Sequence, residues 1–358
     1  MGLRFVIGRS RSGKTSFCLN EIKEKQRLGK RLIYIVPEQY SLQAEKELVS
    51  VTGGIVSAAV LSFRRLAENI FSEKGGISGK LLDDTGKLII LRHILNKNKD
   101  KLKYFGVVCS RQGFISRLGD TLSVFSTQGI YPEDIENYSK AFPEESAMAL
   151  KLQDTALIYS EYREFIKTRY VSSDDMLTIA AQRMTGAKYI EGAEVWLDGF
   201  YGFTHQEYEM IGKMLSACKN VTVTLNMDPK YAIREKLNME NMFFEPWDTM
   251  MRLKKICSDK NISLEKNIYL TDTHYSSKGM ETLEKEYPKW NVNSSSDNSG
   301  IGILTASTVS EEINMCASRI ISYVRDKGLR YRDIAVTART LNDYEENIRL
   351  IFSHYGIP

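Results

Sequence analysis

The chain has 358 residues, 42% of them hydrophobic and 26% charged, with a formal net charge of +4. This composition fits a globular protein built from two or three substructures, and the charge is too mild to imply nucleic-acid binding without a local basic patch. No stretch approaches the ~18 apolar residues of a membrane span, so no membrane partner is expected.

Leu3–Ile7 reads as a first strand and Lys14–Gln26 as the helix behind it. Leu32–Val36 is a second strand, stopped by Pro37, and Ala58–Leu61 a third that leads into a helix over Phe63–Glu73. From Asp83 to Met184 the period turns helical. Leu88, Leu91, Ile94 and Leu95 make one apolar stripe, and Leu150, Leu157, Ile158 and Phe165 another. The strand pattern resumes at Glu194–Asp198 and Val221–Asn226, so the helical part interrupts a sheet. A helix over Thr204–Ala217 separates these strands, opened by the capping-box pair Thr204 and Glu207. A helix over Asp248–Asp259 and a strand near Ile262–Leu270 follow. The polar stretch 291–300 reads as a linker, and Gly302–Ala306, Glu311–Val324, Asp333–Ala338 and Asp343–Tyr355 as β-α-β-α.

The fold class expected is α/β with a parallel sheet, in five parts: 1–75 and 189–290 forming one phosphate-loop domain, 76–188 an all-α insertion, 291–300 a linker, and 301–358 the start of a second α/β domain. Two parallel strands are a poor unit alone, which suggests a piece of a longer protein.

Gly8-Arg9-Ser10-Arg11-Ser12-Gly13-Lys14-Thr15 fits G-x-x-x-x-G-K-[ST], with an apolar strand before it and a helix after it. Chemistry explains the pattern: glycines turn successive backbone N–H groups toward phosphate oxygens, Lys14 supplies charge to the terminal phosphates, and the Thr15 hydroxyl ligates Mg²⁺. The helix start adds its positive dipole end. ATP with Mg²⁺ is therefore the expected ligand pair. Arg11 stands where many such loops carry glycine, and it either points away from the phosphates or adds charge to them.

A phosphate loop needs a carboxylate at the end of a neighbouring strand to hold the metal through water. Asp198, ending Val195-Trp196-Leu197-Asp198, is the candidate, although aspartate also ends strands at ordinary turns. Gly199 stands where hydrolysing helicases of this general type carry glutamate, and the next carboxylate, Glu207, is accounted for by its helix cap. Binding with little or no hydrolysis is the expectation. Arg339, after the strand expected at Ile334–Ala338, is either a γ-phosphate contact from a second domain or a plain surface arginine.

These residues add up to a family pattern. The chain resembles the AddB family, the B subunits of AddAB-type ATP-dependent helicase–nucleases, over essentially its whole length. The resemblance rests on GRSRSGKT at Gly8–Thr15, IVPEQ at Ile35–Gln39, LSFRRLA at Leu61–Ala67, VWLDGFYGFTHQE at Val195–Glu207 and RYRDIAVTAR at Arg330–Arg339. It implies a UvrD-like helicase fold with a RecA-like first motor domain, a helical insertion and a second motor domain. It further implies a lost motor with a retained ATP loop, pairing with an AddA-type subunit, processing of DNA ends, and a part in Chi recognition.

The resemblance also points to the loops after the second and third strands as contacts for single-stranded DNA: Glu38, Gln39, Ser62, Phe63, Arg64 and Arg65. Phe63 reads either as a stacking platform or as a core residue opening a helix. Lys97, Lys99, Lys101 and Lys103 suit DNA or a solvated helix end equally well. The family's nuclease domain and iron–sulfur cluster find no match here. Cys18, Cys109, Cys218, Cys257 and Cys316 are scattered, and His93, His205, His274 and His354 have no ligand spacing, so a reducing cytoplasm and no nuclease activity are expected. Two other functions stand beside this reading: an active ATP-driven translocase, and a small-molecule phosphotransferase with a helical lid, for which no acceptor pocket is evident.

Overall fold

The computed structural model describes residues 2–26, 31–54, 58–75, 80–167, 170–289 and 297–358. The chain packs as two compact units, Met1–His274 and Tyr275–Pro358. This boundary precedes the expected linker at 291–300, most of which lies outside the described residues.

The first unit opens with β1 (Gly2–Gly8), α1 (Lys14–Gln26), β2 (Leu32–Ile35), α2 (Ser41–Thr52), β3 (Ala58–Leu61) and α3 (Phe63–Lys74). It then leaves the sheet through β4 (Lys80–Leu82), α4 (Asp84–Lys97), α5 (Gln112–Thr127), α6 (Pro132–Ser139), α7 (Ala147–Lys167), β5 (Tyr170–Ser172) and α8 (Met176–Arg183). The chain returns by way of β6 (Glu194–Leu197), α9 (His205–Ala217), β7 (Asn220–Asn226), α10 (Phe244–Asp259), β8 (Ser263–Leu264) and β9 (Ile268–Leu270). The single strand expected near Ile262–Leu270 is thus two short ones, pairing in succession with the two ends of β1.

Seven strands form one sheet in the order β3-β2-β6-β7-β1-β8, with β9 also on β1, and all pair in parallel. Alternation along each strand assigns the two faces. Leu32, Tyr34, Val36, Val60 and Trp196 pack on Cys18, Leu19 and Ile22 of α1 and Ala44 and Leu48 of α2. Leu3, Phe5, Ile7, Ile33, Ile35, Val195, Leu197, Val221 and Val223 face the other way, onto α3, α8, α9 and α10. Burial on both faces is why these strands read as nearly unbroken apolar runs. Because every strand runs the same way, the loops after β1, β2, β3, β6 and β7 leave from one edge of the sheet.

Caps set the helix starts on that edge. The Ser62 hydroxyl accepts the Arg65 N–H at 3.3 Å, and α3 ends at Gly75 with φ 96°. At α9, Thr204 accepts the Glu207 N–H at 3.3 Å while Glu207 Oε2 accepts the Thr204 N–H at 2.8 Å, which is the reciprocal box read from the sequence.

The helical part between β3 and β6 has its own core, with Leu91, Ile94 and Leu95 of α4 against Ile115, Leu118 and Leu122 of α5 and Ile158, Tyr159, Tyr162 and Ile166 of α7. The stripe expected on α7 is corrected at Phe165, which is 36% exposed. Tyr159, Tyr162 and Ile166 face inward instead, since a helix ring one residue off the contact line turns by about 100°. A parallel pair, β4 with β5, closes the base of this part. Gln206 of α9 ties it to the sheet: its side-chain amide donates to the Asp174 carbonyl at 2.6 Å and the Ser126 carbonyl at 3.2 Å.

The second unit contains α11 (Lys278–Glu286), α12 (Val309–Lys327) and α13 (Glu345–His354), with Ile313, Ala317, Ile320, Ile351 and Ile357 buried together. Helices α12 and α13 match the sequence reading, α11 was not expected, and the strands do not match. No strand is assigned at Gly302–Ala306 or Asp333–Ala338 among the described residues, and Ile303, Leu304 and Val336 are exposed. An apolar run becomes a strand only when another strand satisfies its N–H and C=O groups, and these two segments do not pair. Among the described residues no helix is long and apolar enough to cross a membrane.

Candidate nucleotide site

The loop between β1 and α1 sits at the carboxyl edge of the sheet, with Gly8 paired to Asn226 of β7. At Gly8 the neighbours leave no room for a side chain: an added Cβ would collide with Ser12 Oγ and lie 2.8 Å from the Leu270 carbonyl oxygen. Arg11 has φ 55°, the left-handed region usually left to glycine, and its carbonyl accepts the His274 N–H at 3.0 Å. Its side chain is exposed, as is Ser10. Arg9 is drawn aside, its guanidinium 3.4 Å from Asp228 Oδ2 and 5.5 Å from the Phe243 ring centroid.

Inside the loop, Lys14 Nζ donates to the carbonyls of Gly8 at 2.9 Å and Arg9 at 2.7 Å, and reaches Asn226 Oδ1 at 3.4 Å. The ammonium is held over the loop by neutral acceptors, which a phosphate oxygen would outcompete as a charged acceptor. Ser12 Oγ is buried with no hydrogen-bond partner among the described residues. A buried hydroxyl without a partner is costly, by about 1–3 kcal/mol, and a phosphate oxygen would relieve it.

Asp198 is the second pole. It is 2% exposed, and its carboxylate accepts from the hydroxyls of Thr15 at 2.8 Å, Tyr34 at 2.7 Å and Thr224 at 2.6 Å. The structure thus brings together Thr15 and Asp198, which stand 183 residues apart in sequence. Burial, followed by the nearby Asp198 charge, pushes the Tyr34 hydroxyl far above its ordinary range and also raises the Cys18 thiol. Both groups therefore stay protonated, and Tyr34 remains a donor. Tyr34 and Thr224 escape the sequence reading. The available signal is the Tyr34 hydroxyl in an apolar strand and the alternating threonines of β7, meaningful only once β2 and β7 are known to flank β6.

The donor set suits Mg²⁺ with a nucleotide triphosphate. Among the described residues no group of three or more His, Cys, Asp or Glu side chains could hold a metal. One hydroxyl and one carboxylate are what a hard cation uses when phosphate and water supply its remaining ligands. A residue able to activate water is harder to find. Gly199 follows Asp198 with φ 80°, a conformation disfavouring any side chain there. Glu207 is engaged in its cap, and burial raises its carboxyl despite the bonds from Thr204.

The other expected site residues divide by exposure. Glu38, Gln39, Arg64 and Arg65 are exposed, with Arg64 3.5 Å from Glu68 and Arg65 3.2 Å from Glu45. Ser62 is buried as the α3 cap. Phe63 is 4% exposed and meets Phe200 at 5.5 Å and Phe203 at 6.0 Å, edge to face. Its ring is a core element with no free face for a base, so the stacking expectation is corrected. Arg339 is exposed in the second unit and follows no assigned strand.

A family model described as "ADDB, N-terminal" matches residues 5–284. Two proteins named as the B subunit of an ATP-dependent helicase/deoxyribonuclease, from Acetivibrio thermocellus and a Thermoanaerobacter species, are each 36% identical over 369 aligned residues, covering 100% of this chain and 32% of theirs. A protein of the same name from Clostridium tetani is 35% identical over 372 residues, again with 100% and 32% coverage. The chain therefore spans about a third of the length of these relatives.

Proposed function

The chain belongs to the AddB N-terminal family, and from that premise we propose that it is the helicase-like, ATP-binding part of an AddB protein that has no motor of its own. In this reading β1–β3 and β6–β9 with their helices form a RecA-like domain. Gly8–Thr15 would cradle the phosphates, Lys14 would leave the Gly8 and Arg9 carbonyls for the terminal phosphates, and Thr15 with Asp198 would hold Mg²⁺. When bound, the nucleotide would supply the negative charge that Lys14 and the loop N–H groups are arranged to receive. The protein's own groups would bind and orient it, and at Gly199, beside Asp198, there is no side chain to activate water.

The observation that carries this reading is the buried Asp198 carboxylate bonded to Thr15 and followed by Gly199. The protein would work beside an AddA-type partner on DNA ends in the cytoplasm and take part in Chi recognition. Gln39, Arg64 and Arg65 would meet single-stranded DNA at the same sheet edge. Equilibrium binding of fluorescent ATP with Mg²⁺ tests the proposal. Saturable binding lost in Lys14→Ala is expected. Equal binding by the wild type and Lys14→Ala would overturn it.

A further inference from the structure

The lysine run after α4 is not used by the nucleotide site. The backbone there is held from inside by one buried carboxylate. Asp154 of α7 is 3% exposed and accepts the backbone N–H groups of Lys103 at 3.0 Å, Tyr104 at 2.8 Å and Phe105 at 2.9 Å. Leu102, Phe105 and Cys109 point into the core, and Phe105 packs on Phe114 with ring centroids 4.8 Å apart. Outward from this anchored segment stand Lys99, Lys101, Lys103 and Arg111, all exposed. Lys97 is paired with Glu161 at 2.8 Å and Lys101 adds its charge to the same carboxylate, while none of these four makes an ion pair of its own among the described residues. Asp100 is the single acidic residue between Lys97 and Arg111.

Burying a carboxylate is expensive unless donors satisfy it, and three backbone donors do so here. Such an anchor fixes the path of the chain, which a merely solvated helix end would not require. The result is a set of exposed cations on a preset backbone, in excess over the nearby carboxylates among the described residues. We propose that residues 99–111 form a second nucleic-acid surface, apart from the sheet edge, that grips the phosphate backbone of duplex DNA. Duplex is favoured over single strands because its charge density, about one phosphate per 1.7 Å of axis, rewards clustered lysines. Single-strand grooves add aromatic platforms for bases. The one exposed ring here, Tyr104, is 46% exposed and stands edge-on to Phe105 at 5.3 Å.

The test is the salt dependence of binding by the 358-residue chain to a short blunt duplex and to a single strand of the same sequence. In the combined variant Lys99→Gln, Lys101→Gln, Lys103→Gln, duplex affinity should fall about tenfold, and the slope of log K against log salt should shrink by about 2–3. The matching triple Lys→Arg variant should restore both, showing that charge rather than folding is responsible. An unchanged duplex slope in the Gln variant, or a loss confined to the single strand, would overturn the proposal. ATP binding, which depends on Lys14, should be the same in all three proteins, so this outcome is separable from the fate of the nucleotide site.

Discussion

The phosphate-loop corner and residues 301–338 share one kind of sequence pattern, an apolar run next to a helix, and they fold differently. In the first, Phe5–Ile7 pairs with β7 along its whole length, and Val6 and Ile7 pair with β9 on the other side. In the second, Gly302–Ala306 and Asp333–Ala338 flank α12 without pairing, and Ile303 is 87% exposed. Apolar periodicity belongs to one segment, whereas a strand belongs to two. The lesson is that a run of this length is evidence for a strand only to the extent that partners can be named.

The comparison can be broken at either end. The largest effect is expected from Asp198→Ala. It removes the acceptor shared by the Thr15, Tyr34 and Thr224 hydroxyls, and should cost about 3–5 kcal/mol in urea unfolding, because buried donors are left unsatisfied. A loss below about 1 kcal/mol would mean that the corner is held by packing alone.

A smaller, pH-dependent effect should come from Glu21. Burial pushes its carboxyl up, but hydrogen bonds from Arg4 and Trp196 and the charges of Arg4 and Lys25 outweigh that and hold it below its ordinary value. A carboxylate with a depressed folded-state pKa binds protons more readily when unfolded. Its stabilisation is therefore complete above the unfolded value of about 4.3 and is lost as pH falls through the folded one. Glu21→Gln should accordingly flatten the acid limb of the stability–pH curve while leaving its shape near neutrality unchanged. The smallest effect belongs to the exposed segment: Ile303→Ala should change stability by no more than about 0.5 kcal/mol. A change of several times that size would show that Ile303 is covered in the folded protein.

Much of the site was legible in the sequence because chemistry dictates residue type at fixed spacing. Gly8, Gly13, Lys14 and Thr15 lie within eight residues, and the backbone geometry they need admits few alternatives. Asp198 was legible as the polar end of an apolar strand. Its hydroxyl partners were not, since Tyr34 and Thr224 meet it only through the sheet order β2-β6-β7. Phe63 was ambiguous for a related reason: a ring that opens a helix is either a platform or a core residue, and Phe200 and Phe203 decide for the core from far along the chain. The anchoring of residues 103–105 by Asp154 was equally hidden, because about fifty residues separate donors from acceptor.

The central claim is a nucleotide site without a motor, and ATP turnover by the purified chain with Mg²⁺ and single-stranded DNA tests it most directly, beside Lys14→Ala as the baseline. The account predicts turnover indistinguishable from that baseline although ATP binds. DNA-stimulated turnover that disappears in Lys14→Ala would contradict it and make the chain an active translocase.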